Sequence, residues 1–220
     1  TIPTETSNED KPTVGDYTAN AKVEGSEVVI RYYKTEPNAL QIGDIMAADL
    51  KDYEVANYKA NEKTVEVNGI TLDVKTQEVV KVTYNGAAVG ETGYFDKGTA
   101  DITVTASADD VKVLDGKTTA GDADYTAVDG EFTVTADADM SLVDAYTVTW
   151  DTVAKVTLDG KDVTSGNLVA TGKKITITSS TTNGNSITVD GEKVGKPVAD
   201  STAVTYELTV SKNVTISEQA

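Results

Sequence analysis

Apolar and polar residues alternate with a period of two along most of the chain. Ile102, Val104 and Ala106 are separated by Thr103 and Thr105, and Phe132, Val134 and Ala136 by Thr133 and Thr135. Further on, Ile175 and Ile177 stand among Lys174, Thr176 and Thr178, while Tyr206, Leu208 and Val210 flank Glu207 and Thr209. Successive side chains of a strand point to opposite faces, so each run predicts a strand with one face in a core and the other in solvent. Between the runs lie Asn68-Gly69, Asn85-Gly86, Asp115-Gly116, Asp129-Gly130, Asp159-Gly160 and Asp190-Gly191. Such pairs tolerate the positive φ that tight primed hairpin turns require. Helical spacing occurs once, where Ile45, Met46 and Leu50 predict a short helix over Asp44 to Tyr53.

The pattern also repeats at long range. The stretch from Val79 to Leu142 returns, diverged but in order, from Val153 to Ile216. VKVTYNG (Val80 to Gly86) becomes AKVTLDG (Ala154 to Gly160), and KGTADITVTAS (Lys97 to Ser107) becomes TGKKITITSS (Thr171 to Ser180). VLDGK (Val113 to Lys117) corresponds to VDGEK (Val189 to Lys193), and GEFTVTADADMSL (Gly130 to Leu142) to YELTVSKNVTI (Tyr206 to Ile216). This alignment sets Ile102 against Ile175 and Phe132 against Leu208. An offset that stays between 73 and 76 residues over four blocks predicts tandem modules.

The expected fold class is all-β, built of tandem small antiparallel β-sandwich or Ig-like modules, the last two related by duplication. The expected division is an extended acidic arm or linker over residues 1–14, an N-terminal β module over 15–78, and two repeat copies over 79–149 and 150–220. Thr1 to Thr13 is too polar to form a core of its own. The expectation is that this segment orders along another subunit, with Ile2 as its sole apolar anchor.

Charge and composition narrow the function. With 19 Lys and Arg against 36 Asp and Glu, the formal charge is −17, which repels nucleic-acid phosphates and anionic lipid surfaces. No nucleic-acid partner is expected. The chain has no Cys and no His. It therefore lacks disulfides, thiolate sites, and the commonest general base and transition-metal ligand. No run approaches the roughly 18 apolar residues of a spanning helix, so no membrane insertion is expected. The chain opens on Thr1 rather than Met, and removal of an export segment is the expectation drawn from that.

The two copies, with VTYNG (Val82 to Gly86), KGTADITVTA (Lys97 to Ala106) and TVTADADMSL (Thr133 to Leu142), resemble divergent internalin-B-type and related repeats of bacterial, especially Gram-positive, surface proteins. That resemblance covers residues 79–220. Residues 27–74 resemble mucin-binding-type surface repeats through VVIRYY (Val28 to Tyr33), GDIMAADLKDYEV (Gly43 to Val55) and KTVEVNG (Lys63 to Gly69). These resemblances imply an exported or cell-surface protein whose β-modules serve as spacers, adhesive units or assembly subunits. They carry over no functional residues. Neither an LPxTG sortase motif nor a surface-layer-homology segment is present.

Candidate chemistry is sparse, and no catalytic or cofactor-binding residue is assigned. Asp122, Asp124 and Asp129 are the candidates for calcium, which takes six to eight oxygen ligands. GDADYTAVDG (Gly121 to Gly130) departs from the spacing of a calcium loop, and a solvated acidic loop is the plainer reading. Asp109 with Asp110, and Asp137 with Asp139, offer paired carboxylates, but glycoside hydrolysis needs two held across a cleft. Trp150 alternates with Val148 and Tyr146 at the handover between copies, which reads as packing. Tyr32 and Tyr33 are adjacent on a strand and so face opposite sides. A Lys–Asn isopeptide crosslink would need a buried Lys, Asn and carboxylate together, and sequence spacing does not test for it.

These readings point to a non-enzymatic extracellular structural protein, a subunit of a bacterial surface appendage, layer or stalk held by homotypic β-module contacts. The alternative is an adhesin-type module recognising a host or environmental glycan or protein.

Overall fold

The computed structural model describes residues 18–24, 27–33, 55–56, 64–67, 70–179, 186–195 and 204–219. All regular elements among them are strands. The chain opens with β1 (Thr18–Glu24), β2 (Glu27–Tyr33), β3 (Val55–Ala56), β4 (Thr64–Val67), β5 (Ile70–Tyr84), β6 (Ala87–Ala88) and β7 (Tyr94–Asp96). It continues through β8 (Thr99–Thr105), β9 (Lys112–Asp115), β10 (Thr119–Ala120), β11 (Tyr125–Thr126), β12 (Glu131–Ala136) and β13 (Met140–Trp150). Last come β14 (Lys155–Leu158), β15 (Lys161–Val163), β16 (Leu168–Ala170), β17 (Lys174–Thr178), β18 (Ser186–Val189), β19 (Glu192–Gly195), β20 (Thr205–Thr209) and β21 (Val214–Gln219). The predicted helix over Asp44 to Tyr53 and the arm with Ile2 lie outside the described residues.

Two units divide the chain: Thr1–Thr83, Ala87–Ile102 and Val134–Met140 form one, and Tyr84–Gly86, Thr103–Thr133 and Ser141–Ala220 the other. In the first, β5 is the central strand. β2 runs parallel to it from Glu27↔Asp73 to Tyr33↔Val79, while β4 and β7 pair antiparallel along its other edge. β1 closes the sheet as the antiparallel hairpin partner of β2. Val29, Val79, Val80 and Val82 are buried. Arg31, the single arginine of the chain, bridges elements of this unit: its guanidinium donates to both carboxylate oxygens of Asp96 and to both of Glu24. Those paired carboxylates hold the guanidinium well above its ordinary pKa, so it stays charged throughout.

In the second unit β13 pairs with different strands along its length. Leu142 to Ala145 pair antiparallel with β9, Ala145 to Thr147 antiparallel with β16, and Val148 to Trp150 parallel with β21. β21 also pairs antiparallel with β18. A separate antiparallel sheet has the order β15-β14-β17-β20. Between these sheets lies a core that includes Val148, Val156, Ile175, Ile177, Ile187 and Ile216. Ile175, Ile177 and Ile187 are fully buried, each stabilising by about 1.5–3 kcal/mol relative to exposure.

The all-β expectation holds, but the expectation of purely antiparallel sheets does not. The pairings β2–β5 and β13–β21 are parallel, so the sheets are mixed. A parallel pair needs a crossover of a dozen or more residues, which both connections have, and nothing in a strand's alternation records the direction of its neighbour. Asn68-Gly69 lies outside the described residues, and four of the other five expected Asx-Gly turns form. Asn85-Gly86, Asp129-Gly130, Asp159-Gly160 and Asp190-Gly191 have positive φ at both residues, the type I′ signature. At Asp115-Gly116 only the glycine does, and the pair makes no hairpin, because β9 pairs with β11 and β13 while β10 pairs with β16.

Candidate binding groove

The Asp129-Gly130 turn begins a hairpin that does not continue. Val128 and Glu131 exchange both backbone hydrogen bonds across the turn. The next hydrogen-bonded pair of a regular hairpin would be Thr126 with Thr133. Instead the two arms diverge: β11 pairs with β9, and Ala127 donates to the Val111 carbonyl, while β12 pairs with β8 in a two-stranded sheet. Among the described residues no strand covers the β12 edge on the β11 side.

The divergence leaves an open groove of about 510 Å³ lined by Thr103, Asp124, Tyr125, Thr126, Val128, Glu131, Phe132 and Thr133. Phe132 is buried and supports Tyr125, whose ring lies tilted over it with centroids 5.6 Å apart. Val128, at 65% exposure, is the one large exposed hydrophobic among the described residues. Asp124 accepts hydrogen bonds from the Asp115 N–H and the Lys117 ammonium, in that order the causes that hold its pKa below the ordinary aspartate value. Burial, reinforced by Asp115 and Asp124, pushes the Tyr125 phenol up.

A polar cluster around the buried Asp144 stands behind Phe132. The Tyr84 ring meets Phe132 edge-on at 5.7 Å, and its hydroxyl donates to Asp144 Oδ1. Ser107 donates its hydroxyl to Asp144 Oδ2 and its N–H to the Tyr84 oxygen, while the Asp144 N–H donates to Asn85 Oδ1. Asp144 is 4% exposed. Desolvation first, and then the bond to Asp144, raise the Tyr84 pKa. A serine hydroxyl on a carboxylate has the outline of an activated nucleophile. Here the carboxylate serves two hydroxyls at once, and the arrangement orients Tyr84 under the groove rather than presenting Ser107 to it.

The calcium candidates do not converge. Asp124 is committed to Lys117, Asp129 holds the turn with φ 53°, and Asp122 is exposed. Among the described residues no three acidic side chains form a metal-ligand cluster. The paired carboxylates are likewise spread: Asp109 and Asp110 are exposed, and Asp139 accepts from the Lys81 N–H. Trp150 packs against the core of the second unit, with its N–H and carbonyl both held by the Ser165 hydroxyl. Tyr32 and Tyr33 lie on β2, opposite Glu78 and Val79, and their side chains fall outside the description. The buried polar or charged residues among those described are Asp144, Ser179, Ser186 and Thr188, none of them the lysine an isopeptide crosslink needs. Among the described residues no helix is long and apolar enough to cross a membrane.

The sequence marked the turn but not the groove, because the partner strands that pull β11 and β12 apart are distant in the chain. Comparison of the chain with protein-family models, curated proteins and solved structures finds no match.

Proposed function

We propose that this chain is a non-enzymatic structural protein of an extracellular assembly, built from duplicated β-modules that associate with their own kind. The observation that carries the reading is a recurrence of backbone pairing at a spacing of 74 residues. Leu142↔Asp115, Val143↔Leu114, Asp144↔Val113 and Ala145↔Lys112 recur as Ile216↔Val189, Ser217↔Thr188, Glu218↔Ile187 and Gln219↔Ser186. Gly98 N–H to Ala136 carbonyl recurs as Gly172 to Val210, and Gly116 to Ser141 as Asp190 to Thr215.

Ala106 to Gly130 recurs as Ser179 to Val204, with one residue fewer along the first strand. The extra residue falls between Gly98 and Ala106, a stretch in which Asp101 has a φ of 55°. With that insertion Ile102 corresponds to Ile175, in line with the sequence alignment, whereas Phe132 corresponds to Tyr206 rather than Leu208. Duplicated scaffolds serve reach and assembly, whereas chemistry gains little from a second diverged copy. The adhesin-type alternative draws its support from the groove at Tyr125 and Phe132, which the diverged second copy replaces with different residues.

Negative-stain microscopy of the purified chain tests the proposal, with a chain lacking residues 1–13 alongside. Ordered multimers from the full chain, weakened by the deletion while each module stays folded, are the expected result. Single particles in both samples, together with retention on a glycan or protein array, would return the adhesin reading to the front.

A further inference from the structure

We infer that the open hairpin is a docking site for an extended, lysine-bearing peptide segment of another protein, which inserts beside β12 as an added strand. Three independent features of the groove support this, and none depends on the assembly proposed above.

The first is backbone chemistry. Glu131 directs its N–H and carbonyl toward Val128, so the alternation along an antiparallel strand sends those of Thr133 to the same side. On the opposite wall, Tyr125 and Ala127 face β9, which leaves the N–H and carbonyl of Thr126 directed into the groove. Thr126 and Thr133 would have been hydrogen-bonded to each other had the hairpin continued. Their separation leaves two donors and two acceptors on facing walls, the requirements of an extended backbone. A sugar ring would use the tyrosine face but would leave this paired edge unmatched.

Side-chain shape is the second feature. Tyr125, Phe132 and Val128 line the groove, and Val128 stands exposed at its mouth. A strand lying here would place alternate side chains on this apolar surface and the others outward.

The third is charge. Glu131 lines the groove and Asp129 sits at its turn, while the Asp124 carboxylate is bound to Lys117 and the Lys112 ammonium donates to the Thr126 hydroxyl on the opposite wall. An inserted strand with lysines on its outward face would meet carboxylates. By the same argument the chain's own arm is a poor occupant, because Glu5, Glu9 and Asp10 outnumber Lys11.

The test uses the full chain, isotope-labelled, and a capped heptapeptide probe of sequence Thr-Lys-Val-Lys-Val-Lys-Thr. Amide shifts and hydrogen exchange are followed together with particle mass. Saturable binding should slow exchange at the Thr126 and Thr133 amides. Replacing the three lysines with glutamates should weaken binding at least tenfold, as should Glu131→Lys in the protein. Thr133→Pro removes the edge donor without touching the β8 ladder, and should abolish protection at that edge. Glu131→Lys keeps the test decisive if the proline variant fails to fold. Unchanged exchange at both threonines under saturating peptide would overturn the inference. So would equal binding of the glutamate peptide, shifts produced instead by a chito-oligosaccharide, or shifts that follow protein concentration alone. Mass measured in the same samples separates this outcome from that of the assembly proposal.

Discussion

Asp144 shows how much of the second unit depends on one side chain that the sequence does not single out. Its two oxygens accept from Tyr84 and Ser107, which lie 60 and 37 residues away. No local spacing reveals such a trio, and the carboxylates that do stand out locally, Asp122, Asp124 and Asp129, turn to separate tasks. Removing the acceptor takes a partner from the half-buried Tyr84 hydroxyl and the exposed Ser107 hydroxyl, so Asp144→Ala should destabilise the unit by about 1–2 kcal/mol, read by urea unfolding. Tyr84→Phe deletes one donor and should cost about 1 kcal/mol. Exposed carboxylates contribute differently. Asp190 is held below the ordinary aspartate pKa by Lys212 first and by the Thr215 N–H second, and Asp124 is lowered in the same direction by its Asp115 and Lys117 donors. A depressed folded pKa stabilises above the unfolded value and is lost as pH falls through the folded one. The unfolding midpoint should therefore drop on acidification from about pH 5 to pH 3, and the drop should be shallower in Asp190→Asn.

At the scale of elements, alternation proved a sound guide to strands and to their buried faces. Ile102, Val104, Phe132, Val134, Ile175 and Ile177 are all buried, and Asn85-Gly86, Asp129-Gly130, Asp159-Gly160 and Asp190-Gly191 turn the chain where expected. Partner choice was not legible. A strand's own residues do not say that β2 lies parallel to β5, or that β13 will change partners along its length. The splayed hairpin follows from the same gap: Asp129-Gly130 specifies the turn, while β9 and β8 decide that its arms part. Glycine positions offer a check on this local geometry. At Gly86 and Gly160 an added Cβ would meet nothing within 4 Å, so alanine there carries only the left-handed backbone penalty of about 1–2 kcal/mol. At Gly93 the same atom would lie 3.0 Å from the Ala88 Cβ and 3.2 Å from the Val82 carbonyl, with φ at 79°. Gly93→Ala should thus be the most destabilising of the three in thermal unfolding, since crowding against backbone adds to strain.

For the molecule as a whole, the proposed role rests on modules meeting modules despite a formal charge of −17 on each chain. Electrostatic repulsion between like chains is screened over about 10 Å at 0.1 M salt, whereas apolar and backbone contacts persist. Association should accordingly strengthen as salt is raised, the reverse of a complex held by opposite charges. Sedimentation velocity of the full purified chain, across a concentration series at low and at physiological ionic strength, is the most direct measurement of that claim. The account predicts species heavier than a monomer that grow with concentration and grow further with salt; a monomer at every concentration and ionic strength would contradict it.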